Sequence, residues 1–511
     1  MKMKVGTSRI QAGQAIAVSA SLLVSAAAFS VVGWRAPGSR TPVSARQFAA
    51  RSVPKLSWKG TITMWAQAYT PDVPGIKLAP GSPKLHALAN IASQFEKLYP
   101  GIHIRFISPS AWNGSNETLL PKASTGSMYD VYFDQFGSWN TQLPSGIVYN
   151  LMPYLKQPNP YIPGNKRWIS VMNPYVVSET ELNSHVDYEV NGDWVSFAFY
   201  YNKALFRKAG ITDTPKTWAE LLADCRRLKA HGIIPGADIP RIDWYTPIAL
   251  GNYLGIQALK KMVSFSSAKG ITNYDEAIAY KKGILNPLKN PRVMAWWPLF
   301  RTLFTKYWDP AVSAIPINAT PPNAVNGQSL FEAGKVAMII NGSWVPTEVP
   351  KRFPLGSFPF PGLYGTSKYS TLYNGAGDVN NPGAAFQYGI STPKADKSMA
   401  QPGKFQAVLD WLRFLATPQH DQAVVNELGA FIPTFKGTVP IKVFRSQTSL
   451  VNKPLYKTVG GEYLSSAGDQ ALRSLFQEYV TGHISFTAAK QQYGSLLAAA
   501  VQQFLAKNKG S

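Results

Sequence analysis

The sequence predicts an α/β protein of two lobes, and three observations predict it. The chain has 511 residues, more than a single hydrophobic core usually serves. Short alternating strand patterns are followed by segments with apolar residues at helical spacing. An aromatic-rich strand pattern at Trp194, Val195, Phe197, Phe199 and Tyr201 runs straight into Tyr201-Asn202-Lys203 and a helical turn closed by Gly210.

Each element has its own warrant. Residues 1–34 read as a targeting segment: Lys2, Lys4 and Arg9 precede an uncharged run to Arg35, with Ala26-Ala27-Ala28 as a cleavage site. That run is also long enough to span a bilayer, which needs about 20 residues, so a cleaved signal and an uncleaved anchor both fit. Residues 35–57 carry Arg, Pro, Ser and Ala without acids and read as a flexible basic linker. The folded part begins at Trp58. Gly60 to Trp65 is a first strand, Ser82-Pro83 opens a helix that ends at Tyr99-Pro100-Gly101, and Ile102 to Ile107 is a second strand. Ser124 to Phe136 leads from helix to third strand. Thr217 is positioned as a helix N-cap with Glu220 completing a capping box. The helix places Trp218, Leu221, Leu222, Cys225 and Leu228 on one stripe. Trp296, Trp297, Phe300, Phe304 and Trp308 recur at spacings of three and four, which predicts a packed helix rather than a ligand surface. Residues 309–328 read as a loop, and helices are expected at 400–415, 418–428 and 468–506.

Charge and composition narrow the function classes. The net charge of +23 arises from 28 acids against 51 bases. The bases are scattered rather than striped, which argues against nucleic acid as a partner and suits an acidic medium, an anionic surface or an acidic substrate. Charged residues make up 15%, low for a globular protein, while 14 Trp and 24 Tyr suit neutral polar ligands. The single cysteine, Cys225, leaves no intrachain disulfide and no cysteine metal site, and its place in an apolar stripe predicts a buried thiol. Six dispersed histidines show no metal-ligand spacing, and no nucleophile or phosphate-loop motif occurs. Glu179, Glu181, Asp187 and Glu189 cluster in an insert that reads as a solvated acidic face. No cofactor is expected.

The run from Tyr201-Asn202-Lys203 through Leu205-Phe206, Ala209-Gly210 and Pro215-Lys216-Thr217-Trp218 to Glu220-Leu221 resembles the bridge of the extracellular solute-binding proteins of ABC importers, in the maltose-binding-like sugar family. Phe331 to Trp344, with Gly334-Lys335, Ala337-Met338, Gly342 and Trp344, resembles the return crossing of the same family. Further similar segments are Phe95 to Ile102, Gly146 to Leu155 and Leu428 to Pro433. The resemblance implies a type-II periplasmic-binding-protein fold, two α/β lobes joined by three crossings near 196, 336 and 389. It implies lobe 1 from 58–196 and 337–388, and lobe 2 from 197–336 and 389–511. The absence of an N-terminal lipid-carrying cysteine departs from many relatives, so the expectation is a secreted or N-terminally anchored protein on the outer side of the cytoplasmic membrane.

Sugar recognition needs aromatic faces for the ring C–H patches and planar polar groups for the hydroxyls. In the segments where the family holds its ligand, those types are Trp65 and Gln67 after the first strand, and Trp112-Asn113 after the second. Asp134-Gln135 end the third strand, and Trp194 and Ser196 flank the first crossing. Trp244-Tyr245 belong to lobe 2, Asn341 and Trp344 to the second crossing, and Asp378 follows a glycine turn. The implied partners are a carbohydrate and the permease subunits of an importer, with the protein a monomer and not an enzyme. An anionic solute, such as a uronate oligomer or glycerol phosphate, and a secreted glycoside hydrolase are the competing readings.

Overall fold

Two separate sheets, each with its own apolar core, organise the chain. The structure is a computed structural model that describes residues 54–78, 82–108, 115–134, 146–177, 180–195, 197–240, 271–315, 327–349, 352–358, 360–362, 385–442 and 466–508, with Ile242, Tyr245, Thr246, Ala249, Leu254, Lys261, Met262, Phe265 and Phe444. The first sheet contains β1 (Gly60–Trp65), β2 (Ile102–Ile107), β3 (Val131–Phe133), β4 (Val190–Asn191) and, late in the chain, Gln387–Ile390. β5 (Asp193–Trp194) follows β4 at once, and β6 (Phe197–Asn202) opens the second sheet. That sheet adds β7 (Ile234–Gly236), β8 (Val336–Gly342) and β9 (Leu355–Phe358). Gln387–Ile390 is β10, and β11 (Ile432–Pro433) pairs with β5.

In lobe 1 the strand order is β2-β1-β3-β10-β4, with β1 parallel to β2 and β3, and β10 antiparallel to both its neighbours. The parallel trio ends along one edge, at Trp65, Ile107 and Phe133. In an open α/β sheet that edge is where ligands are met. Lobe 2 has the order β9-β6-β8-β7. β8 is buried at all seven residues, as a strand hydrogen-bonded on both sides and covered on both faces must be.

Helices pack these sheets. α1 (Ala87–Leu98) and α2 (Ser115–Thr125) belong to the N-terminal part, α3 (Lys203–Lys208), α4 (Trp218–Ala230), α5 (Asn273–Lys281) and α6 (Trp297–Lys306) to the middle. α7 (Lys404–Leu415), α8 (Pro418–Leu428), α9 (Ser466–Val480) and α10 (Phe486–Lys507) follow. α7 and α8 supply Trp411, Leu412, Phe414 and Val425 to the core of lobe 1, whereas α9 and α10 supply Phe476, Tyr479, Tyr493 and Leu497 to lobe 2. The predicted aromatic stripe is core: Trp296 and Trp297 are fully buried, with ring centroids 5.2 and 5.0 Å from Phe476.

Three departures from the sequence expectations have local causes. The expected split at 337 and 389 moves. β8 and β9 hydrogen-bond into the sheet of lobe 2, while β10, α7 and α8 complete lobe 1. The chain therefore crosses between Asn191 and Phe197, returns between Phe358 and Gln387, and crosses again after Pro433. Only the first crossing falls where it was expected. The helix expected from Ser82 begins at Ala87, because the Glu427 carboxylate on α8 accepts from the backbone N–H groups of His86 and Ala87 at 2.8–3.0 Å. The single helix expected over 468–506 is two, broken at Gly482, whose φ of 95° favours glycine.

The insert acids are also unlike the expectation. Among the described ones, Glu181, Asp187 and Glu189 are buried rather than solvated. Burial and then the charge of Glu181 push the Asp187 carboxyl well above the usual range. The segment from 309, expected to be a loop, holds a short helix at Pro310–Ser313 capped by Asp309, whereas two other local expectations hold. Cys225 is buried and its thiol is pushed up by burial. Thr217 Oγ1 accepts from Glu220 N at 3.2 Å, and the Glu220 carboxylate accepts from Thr217 N at 3.3 Å. Thr217→Ala should therefore lower unfolding stability by about 1 kcal/mol. Urea denaturation checks this, and an unchanged midpoint would contradict the cap.

Candidate ligand site between the lobes

β1 delivers Trp65 to the sheet edge, where its ring meets the edges of Phe133 at 5.5 Å and Tyr129 at 6.2 Å. Trp65 is only 3% exposed, so it forms a wall behind the edge rather than an open face. Gln67, two residues on, has φ 51°, the one left-handed non-glycine residue among the described residues. Its side-chain oxygen turns back onto the Ala68 N–H, and Thr70 Oγ1 donates to its carbonyl at 2.7 Å. Such a conformation costs about 1–3 kcal/mol and collects at ligand clamps. Asp134 follows β3 and is fully buried.

From lobe 2, β8 contributes Asn341 and the turn after it Trp344. Asn341 Nδ2 donates to Gln328 Oε1 at 3.2 Å, and Gln328 Nε2 donates to Glu332 Oε1 at 2.9 Å, a line of planar polar groups. Trp344 is half-buried and stands edge-on to Phe197 at 5.9 Å. Its ring lies over Gly342, where any Cβ would overlap it.

The lobes meet through the segment just before β11. Ser343 Oγ donates to Ala430 O at 2.7 Å, and half-buried Phe431 packs against both cores, 6.1 Å from Tyr69. Phe431 was not among the expected site residues. Its signal is an aromatic inside the Leu428 to Pro433 segment that resembles the family. Of the expected residues, Trp65, Gln67, Asp134, Asn341 and Trp344 lie at strand ends. Trp194 and Tyr245 are fully buried, as Asp134 is, Trp194 among Val176, Ile432 and Phe444, Tyr245 stacked on Phe300 at 4.7 Å. Large rings flanking a crossing find a core before they find a ligand. Trp112, Asn113, Gln135, Ser196, Trp244 and Asp378 lie outside the described residues.

Beneath this site the crossings are tied together. Gly192 N donates to Phe386 O at 2.9 Å, and the Gly192 carbonyl accepts from Thr434 N and Oγ1 at 2.9 and 2.8 Å. The buried Asp193 carboxylate accepts from Ala385 N, from Phe386 N and from the Tyr69 hydroxyl. Burial pushes Asp193 up to about 7, although Tyr69 and the two backbone donors pull it back. Asp421, packed at Gly192, is pushed well above its usual range by burial and then by Asp193, and the Phe435 backbone N–H offsets this only partly.

A solute-binding protein is the class that this arrangement defines: two α/β lobes joined by three crossings. The comparisons agree. A family model, described as bacterial extracellular solute-binding protein, matches residues 81–422, and the chain belongs to that family. Proteins named as binding proteins of Brucella abortus (strain 2308) and Brucella suis biovar 1 are 30% identical over 166 residues, 31% of this chain. That match spans 33% of the length of each relative.

Among solved structures, the GacH receptor of Streptomyces glaucescens, reported unliganded and with acarbose, is similar with a TM-score of 0.58 and 17% identity, covering 87% of this chain and 99% of that one. The sugar-binding protein MalE of Xanthomonas citri gives 0.60 and 16%, covering 88% and 100%. A chitin oligosaccharide binding protein gives 0.60 and 18%, covering 87% and 99%. These likenesses establish the type-II periplasmic-binding-protein fold. Among the described residues no helix is long and apolar enough to cross a membrane.

The raised Asp193 pKa has a definite sign. A carboxyl that binds its proton more tightly when folded contributes stability fully present below its unfolded pKa of about 3.9, and that contribution is lost as pH rises to about 7. Asp193→Asn mimics the neutral acid, so the variant should gain on the wild type as pH rises from 4.5 to 7.5. Urea denaturation across that range checks it, and a wild-type-to-variant difference that stays constant would contradict it.

Proposed function

We propose that the protein captures a neutral mono- or oligosaccharide between its lobes and delivers it to the permease of an ABC importer on the outer face of the cytoplasmic membrane. The observation that carries this reading is the chemistry of the facing strand ends. In this reading Gln67 and Asp134 serve from lobe 1, near the ends of β1 and β3, the Asn341–Gln328 amides and half-buried Trp344 serve from lobe 2, and Phe431 packs against both cores. Amides and a carboxylate match sugar hydroxyls, and the aromatic edges match ring C–H surface. None of these groups is a cation, so the +23 of the whole chain is not concentrated on them. That favours a neutral over an anionic solute at this site.

Binding here means closure: the lobes grip the ligand from both sides and exclude water. An unmatched buried hydroxyl partner then costs about 1–3 kcal/mol, which supports discrimination among sugars. The reading also supports a monomer that returns its ligand chemically unchanged.

Calorimetry against maltotriose, chitotriose and a neutral monosaccharide series tests this. One series member should bind and be recovered intact, and Trp344→Ala should weaken it at least about tenfold, or 1.4 kcal/mol. Tight binding of uronates alone, or conversion of the sugar, would overturn the reading.

A further inference from the structure

Lobe 1 carries a pocket on one face of its sheet, running from Gly60 at the start of β1 to Ile107 at the end of β2. It has a volume of about 580 Å³, within the range of about 300–1,000 Å³ that small-molecule sites occupy. It lies against the sheet face bearing Thr61, Thr63 and Arg105, is roofed by Lys122 on α2, and is separated from Trp65 by the Tyr129 ring.

Its floor is internally satisfied. Lys404, buried at 3% exposure, donates to Asp130 Oδ1 at 2.7 Å and to Ser398 Oγ at 2.6 Å. Asp130 Oδ2 accepts from Thr63 N and Oγ1 at 2.8 and 3.0 Å. The Asp396 carboxyl accepts from Ser398 N and Oγ at 2.9 and 2.8 Å.

Its mouth is not satisfied, and what it has left over is donors. Arg105 is exposed and Lys122 half-buried, and neither has a carboxylate partner among the described residues. Lys122 is held over the Tyr129 ring at 5.0 Å. Exposed Gln401 spends its Oε1 on Trp58 Nε1 at 3.0 Å, which leaves its amide N–H groups as donors in the pocket lining, and Thr61 adds an exposed hydroxyl. A donor-rich mouth over a neutralised floor calls for a ligand made of acceptors. The charged groups around it are Arg105 from β2, Lys122 from α2, Asp130 before β3, Asp396 and Lys404. Lys404 cancels Asp130, and burial beside Asp130 raises Asp396 to about 6, so the balance is positive in mildly acidic medium.

We propose that this pocket is a second ligand site, taking a small hydroxylated anion such as a sugar acid or a sugar phosphate. The anionic group lies between Arg105 and Lys122, and its hydroxyls meet Thr61 and Gln401. The site is independent of the neutral sugar between the lobes.

Calorimetry at pH 5.5 with glucuronate, glucose 1-phosphate, glucose and inorganic phosphate tests it. At least one of the two sugar anions should bind, at least about tenfold more tightly than glucose and inorganic phosphate. The surface double variant Arg105→Gln with Lys122→Gln, verified as folded by its unchanged melting temperature, should lose that binding at least tenfold. Trp344→Ala should keep it. Failure of both anions to bind, binding that survives the double variant, or binding that Trp344→Ala removes would each overturn the proposal.

Discussion

The Gly192-Asp193 step holds the architecture together. At this point the first crossing, the return segment before β10 and the strand of the third crossing come within hydrogen-bonding distance of one another. Gly192 uses its N–H on Phe386 and its carbonyl on Thr434, while the Asp193 carboxylate takes the N–H groups of Ala385 and Phe386 and the Tyr69 hydroxyl. No side chain fits at 192, because a Cβ would overlap Asp421 and Phe386. Three strands of chain must pass through a narrow neck, and glycine beside a buried carboxyl lets them do so with their backbone groups satisfied.

A neck of this kind has mechanical consequences. Each lobe has its own core, one centred on Trp411, Phe414 and Tyr388, the other on Trp297, Phe300 and Phe476. The contacts that span them are local: Ser343 to Ala430, Phe431 against both cores, and Leu182 of the insert buried with Ala277, Ala500, Val501 and Phe504 of lobe 2. A change of angle at the neck therefore alters the space before Trp65 and Trp344 without disturbing either interior. The strained Gln67 sits two residues beyond the end of β1.

Much of this could be read from residue order because it depended on local chemistry. The Thr217–Glu220 box, the aromatic stripe over 296–308, the buried thiol of Cys225 and the strand that becomes β6 are all settled within a dozen residues. What escaped depends on distant partners. Helix α1 starts late because Glu427, some 341 residues further on, caps it. β8 looks like a crossing strand until its neighbours β6 and β7 are known, and the acids around Asp187 look solvated until the insert is seen packed against both lobes, with Asp187 bonded to Leu151 and Leu182 buried among Ala277, Ala500, Val501 and Phe504. The candidate site divides in the same way. Strand-end positions such as Gln67, Asp134 and Trp344 follow from the fold, whereas the exposure of a tryptophan does not. Trp194 and Trp344 have similar local settings, yet one is sealed in a small core and the other stands half open. Phe431 gave no chemical signal of its own, because an aromatic that bridges two cores is indistinguishable in sequence from one that fills either.

Small-angle scattering tests the neck-and-cleft account most directly. The radius of gyration should be measured with and without a saturating sugar, maltotriose or whichever calorimetry selects. If the two cores turn about the Gly192-Asp193 neck to enclose the ligand, the radius falls on addition of sugar and returns on dialysis. A bound sugar that leaves the radius unchanged would show that the lobes do not shut on it, and the account would be wrong.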